Sequence, residues 1–164
     1  MNLQFFKKFF LILIIFIIFL LIFDRDWFLQ IGLFNEKEKK NIIDTIVTYN
    51  KILMDFYATG GNPSLIDEMP TSKYIKHEIF KEIAFLSASK MVLVYDLTDI
   101  KIEKINFFGL KMAKAKVDEE WNYQYQDLGT REAKSDIKGG TFKVEYDLKK
   151  IKGKWIILQW KPLN

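Results

Sequence analysis

A lone carboxylate on an apolar face is the strongest chemical signal in this chain. Between residues 111 and 126, Ala113, Ala115, Val117, Trp121, Tyr123 and Tyr125 alternate with Lys114, Lys116, Asp118, Glu120, Asn122, Gln124 and Gln126, and Glu119 falls in the apolar series. Burial penalises the charged form of a carboxyl unless a partner or water relieves it. A carboxyl so placed serves as a general base, or anchors a cationic ligand, with Trp121, Tyr123, Tyr125 and Tyr146 lining a pocket. Two blander arrangements give the same sequence. A bulge within Asp118-Glu119-Glu120 shifts the register, or a lysine from a helix neutralises the charge. The aromatic residues, Trp155 among them, equally well fill a core.

Little else points to catalysis. The single histidine, His77, begins His77-Glu78-Ile79-Phe80-Lys81, half of a zinc-protease motif with Lys81 where the second ligand belongs. One histidine does not hold zinc, so no metal is expected. Cysteine is absent, and neither a Gly-rich phosphate loop nor a nucleophile elbow occurs. Asn62-Pro63-Ser64 fails as a glycosylation acceptor because of its proline. Lys149, Lys150, Lys152 and Lys154 cluster at one turn, where they contact anionic lipid or cell-wall polymer, or simply meet water. The expectation is a protein without a cofactor and not an enzyme.

The elements that position these residues follow from periodicity. Asn35 with Glu38 has capping-box spacing, and Ile42, Ile46, Tyr49, Leu53 and Phe56 form an apolar stripe closed by Gly60-Gly61. A helical turn at Ser64–Asp67 precedes Pro70, and a further helix from Thr71 or Ser72 is expected to bury Tyr74, Ile75, Ile79, Ile83 and Leu86. From Met91 the period changes to two. A strand leads to a turn at Asn106-Phe107-Phe108-Gly109, the long strand over 111–126 follows, and residues 127–140 read as a loop. Phe142, Val144, Tyr146 and Leu148 then alternate with charged residues up to a tight turn at Lys152-Gly153-Lys154. The final run, Trp155 to Trp160, is apolar on both faces, so it is either central in the sheet or covered on its second side. Helices followed by an antiparallel meander make an α+β fold with the helices on one sheet face.

The start of the chain is of another kind. Residues 9–23 have no polar side chain; Lys7 and Lys8 precede them, and Asp24-Arg25-Asp26 follow. Fifteen helical residues span about 22 Å, short of a hydrocarbon core of about 30 Å, and Phe5, Phe6 and Trp27 extend the apolar stretch. No small residue suited to signal cleavage lies between Phe9 and Gln30, and a lipoprotein site needs the missing cysteine. The organisation expected is a short cytoplasmic tail (1–8), a transmembrane signal anchor (9–23), a connector (24–34) and an extracytoplasmic α+β domain (35–164). The two lysines flanking the anchor keep the N-terminus inside the cell membrane, and Trp27 marks the opposite interface. With Lys7 and Lys8 set aside, 23 of the 25 Lys and Arg face 21 Asp and Glu, so nucleic acid is not an expected partner.

The order long helix, short helix, third helix and long strands resembles the nuclear-transport-factor-2-like superfamily of cone-shaped α+β domains. The segment Phe142-Lys-Val-Glu-Tyr-Asp-Leu-Lys-Lys-Ile-Lys-Gly-Lys-Trp-Ile-Ile is similar to the hairpin that ends many members. Three membrane-tethered groups look similar in layout: inner-membrane import-like domains, the inner-membrane assembly subunit of type IV secretion systems, and a transpeptidase-associated domain. The resemblance implies a curved sheet under helices, and it carries over no functional residue. The resulting reading is a single-pass protein held in lipid by its N-terminal helix, with a non-catalytic domain that meets a protein partner or a second copy. Ile156, Leu158 and Trp160 form the expected contact surface. Two other readings stand beside it: a pocket protein centred on Glu119, and a subunit of a secretion or conjugation envelope complex.

Overall fold

The computed structural model describes residues 35–163. The segments expected as tail, anchor and connector, with Lys7, Lys8 and Trp27, lie outside them. Among the described residues no helix is long and apolar enough to cross a membrane. The chain divides into two compact units at residue 40, and residues 41–163 carry the fold.

The first helix, α1, is described over residues 35–58, so Asn35 is already helical rather than a cap. Its stripe behaves as the spacing predicts. Ile42, Ile46, Tyr49, Phe56 and Tyr57 are buried, each large apolar side chain contributing about 1.5–3 kcal/mol over its exposed state. Gly60 and Gly61 end α1 in a Schellman motif, their amides donating to the carbonyls of Tyr57 and Phe56. Gly61 has φ +97°, and a Cβ there would meet Ile83 Cγ2 at 2.6 Å.

Helix α2 (Pro63–Glu68) is capped by Asn62, and α3 (Lys73–Ala88) by Ser72, whose hydroxyl accepts from the Ile75 amide. Ile75, Ile79, Ile83 and Leu86 are buried on α3, but Tyr74 is 68% exposed, against expectation. Its position one residue before Ile75 places it about 100° around the helix from the buried stripe.

Strands β1 (Met91–Phe107), β2 (Met112–Asp127), β3 (Lys138–Ile151) and β4 (Lys154–Leu163) form an antiparallel meander in chain order. Two register shifts fall in β1, after Leu97 and after Ile102, where bulges bend the strand. The stretch 127–140 is not all loop. β3 begins at Lys138, and Gly139 and Gly140 pair with Asn122 and Trp121. β4 is an edge strand. Its outer side is met at Ile157, whose amide donates to Pro70 O at 3.0 Å and whose carbonyl accepts from the Ser72 amide at 2.8 Å. The segment before α3 thus covers part of the edge.

Candidate functional site

Glu119 sits where the period places it. β2 runs without a register shift against β3, so Ala113, Ala115, Val117, Glu119 and Trp121 all face the core. The carboxyl is 3% exposed, and no lysine reaches it among the described contacts. Three neutral donors satisfy it instead. Asn50 Nδ2 donates to Oε1 at 2.8 Å, Tyr146 OH donates to the same oxygen at 2.6 Å, and Trp121 Nε1 donates to Oε2 at 3.0 Å. Each donor arrives from a different element or register. Asn50 comes from α1, Tyr146 from β3, and Trp121 from the next inward position of β2 itself.

The Tyr146 hydroxyl has one hydrogen, and it also lies 3.4 Å from Asn50 Oδ1. The shorter contact to Glu119 takes the proton. Burial first, then the neighbouring Glu119 charge and hydrogen bond, hold the Tyr146 pKa well above the ordinary tyrosine value. Tyr146 is therefore a donor throughout the physiological range. Tyr49, edge-on to Tyr146 at 6.2 Å, is also raised, mainly by burial, while a hydrogen bond from Trp160 works in the opposite direction.

Aromatic rings fill the space around this group. Tyr95 packs edge-on between Tyr57 at 5.1 Å and Trp121 at 5.7 Å, and Tyr123 lies 6.5 Å from Tyr95. Tyr57 donates to Glu82 Oε2 at 2.5 Å, which ties α1 to α3. Of the residues singled out with Glu119, Trp121 and Tyr146 touch it, and Tyr123 lines the adjoining aromatic layer. Tyr125 lies six residues along β2 from Glu119, about 20 Å by strand rise, and packs against the core beyond Tyr123 without reaching the carboxyl. Asn50 was missing from that set. Its signal was present: it stands four residues after Ile46, on the side of α1 that is buried.

The arrangement holds the carboxyl through three neutral donors, two of them from elements other than β2. Among the described residues no group of histidine, aspartate or glutamate is placed to hold a metal.

The expected surface on β4 divides. Residues opposite one another across strands share a face. Ile156 is opposite Lys149, an exposed residue, whereas Trp160 is opposite the buried Tyr146. The register shift between these pairs, with Leu158 as the extra residue, turns Trp160 to the helix-bearing side. There it remains 49% exposed while bonded to Tyr49. Ile156 and Leu158 instead border a groove with Thr71, Ser72 and Ile151.

The outer sheet face is a lattice of ion pairs. Lys114 lies 3.0 Å from Asp147, Lys161 3.0 Å from Glu145, and Lys143 3.0 Å from Glu103. These pairs leave the face polar.

The α+β arrangement is shared with solved domains. The intermembrane space region of the chloroplast protein ARC6 superposes with a TM-score of 0.63 at 16% identity, covering 76% of this chain and 95% of that one. A periplasmic fragment of TraM superposes with a TM-score of 0.51 at 11% identity, covering 77% and 97%. An NTF-2-like protein of unknown function from Shewanella oneidensis MR-1 matches with a TM-score of 0.45 at 11% identity, covering 74% and 98%. At these identities the likeness is one of fold. No protein-family model and no curated protein matches the sequence.

Proposed function

We propose that the chain is a single-pass, membrane-anchored protein of the nuclear-transport-factor-2-like kind, whose extracytoplasmic domain is a non-catalytic interaction module. The observation that carries the reading is the closure of the Glu119 site. A carboxyl whose oxygens are engaged by Asn50, Tyr146 and Trp121 inside a filled aromatic core works as a structural hub. Contact with other molecules then falls to the surface. The similarity to an intermembrane-space domain and a periplasmic fragment supports an extracytoplasmic setting, as does the apolar run at 9–23.

Trp160 is the contact residue the geometry favours. It is half exposed on an edge strand, and its bond to Tyr49 fixes the ring before any partner arrives. A large aromatic held in place binds at low entropic cost. The partner is a protein, and a second copy of this chain is the simplest case. Light scattering of the full chain in detergent tests it: Trp160→Ala shifts the assembly toward monomer. A chain that is strictly monomeric both before and after the substitution contradicts self-association.

A further inference from the structure

The two hairpin tips at one end of the sheet lie side by side. The Lys150 amide donates to Lys111 O at 2.8 Å, and Met112 is in register with Lys149. Residues 106–112 and 149–154, which make up these tips, contain Lys111, Lys149, Lys150, Lys152 and Lys154 and no carboxylate. The same tips expose large apolar side chains: Phe108 is 57% exposed, Leu110 71% and Ile151 44%. Elsewhere on the sheet, Lys114, Lys143 and Lys161 are each matched by carboxylates. The two turns thus carry lysines and exposed apolar side chains together, with no acidic residue of their own.

We propose that this paired-hairpin end docks on an anionic phospholipid surface, Phe108 and Leu110 entering the headgroup region while the lysines meet lipid phosphates. Basic residues beside exposed apolar ones are what an anionic interface selects, because charge draws the protein in and burial of the apolar tips holds it. A protein partner for the same end would have to offer an acidic, apolar surface. A bilayer offers both properties at once and is continuous over both tips. Ile151 also borders the groove with Ile156 and Leu158, rimmed by Lys73, Lys152 and Lys154, which suits a lipid chain and its phosphate. The proposal rests on the membrane-anchored reading for a bilayer close at hand.

The absence of cysteine allows single-site labelling of the full chain. Leu110→Cys carries an environment-sensitive fluorophore at the tip. Lys138→Cys carries it at the opposite end of β3, as a control. The labelled chain is reconstituted in vesicles of phosphatidylcholine alone or mixed with phosphatidylglycerol. The expected result is a blue shift at position 110, quenched by brominated lipid, in the anionic vesicles only. It is abolished near 1 M salt, where the Debye length is about 3 Å, and by the combined substitutions K111Q, K149Q, K152Q and K154Q. Position 138 stays unshifted. Vesicle flotation with no shift at 110, or an equal shift in neutral vesicles, overturns the proposal while leaving the anchor intact. A chain that fails to float with neutral vesicles contradicts the anchor itself, and the tip is then judged by the same shift on added anionic vesicles.

Discussion

The side-chain amide of Asn50 and the carboxyl of Glu119 meet at 2.8 Å across 69 residues of chain, and both are almost wholly buried. This bond fixes α1 on the sheet at one angular setting, because Tyr146 and Trp121 hold the same carboxyl from the sheet side. An apolar contact tolerates sliding; a directional, buried hydrogen bond does not.

Replacing either partner should therefore cost stability. Glu119→Gln keeps the acceptor for Asn50 and Tyr146 but turns an amide donor toward the Trp121 indole N–H. A buried donor left without an acceptor costs about 1–3 kcal/mol. Asn50→Asp removes the amide donor and sets a second buried carboxyl beside Glu119, so it should cost more than Glu119→Gln. Urea denaturation of both variants checks the order.

Much of the fold was legible because a few patterns are locally self-sufficient. The alternation of Ala113 to Trp121 needs only the pleat to become a buried face, and the α1 stripe needs only the helical pitch. What was hidden depended on distant pairing. Trp160 changes face through a bulge at Leu158, and nothing in Ile157-Leu158-Gln159 marks that bulge. Gly139 and Gly140 read as loop, yet they are strand residues paired with Trp121 and Asn122. Asn50 is a polar residue on the buried side of α1. Only a carboxyl 69 residues away gives it a reason to be buried.

The end of α1 provides a sharper stability test. Gly61→Ala forces a side chain onto φ +97° and into Ile83. A loss of about 1–3 kcal/mol is expected, more than for an alanine at Gly153, whose added Cβ meets no atom. Thermal denaturation monitored by circular dichroism distinguishes the two.

Stability should fall at both extremes of pH. The Lys161 hydrogen bond holds Glu145 low, and at Asp147 the bonds from Gln159 and Lys114 outweigh burial, which pushes the other way. Carboxyls lowered in the folded state stabilise it above their unfolded pKa, and that contribution is lost as pH falls below about 4 through their folded values. At the alkaline end, burial foremost raises Tyr49, Tyr57, Tyr95 and Tyr146. Their contribution is complete below about pH 10 and lost above it, since the unfolded chain releases these protons first. Tyrosinate absorbance should rise together with loss of ellipticity; ionisation of these four in a folded protein contradicts their burial.

The proposed orientation can be read from intact cells. A cysteine introduced at exposed Lys138 should react with a membrane-impermeant maleimide added outside. Protection until the cells are lysed contradicts an extracytoplasmic domain.

The central claim is that the Glu119 site is a closed structural hub, and the indole N–H of Trp121 reports on it most directly. The chain has four tryptophans, so four indole resonances are expected in an ¹⁵N spectrum, and Trp121→Phe assigns the relevant one. Donated to Glu119 inside a filled core, that proton should exchange with deuterium only through large-scale opening of the fold. Exchange that is complete before the first spectrum, in a protein whose backbone amides remain protected, would mean that solvent reaches the carboxyl and that the site is an open pocket.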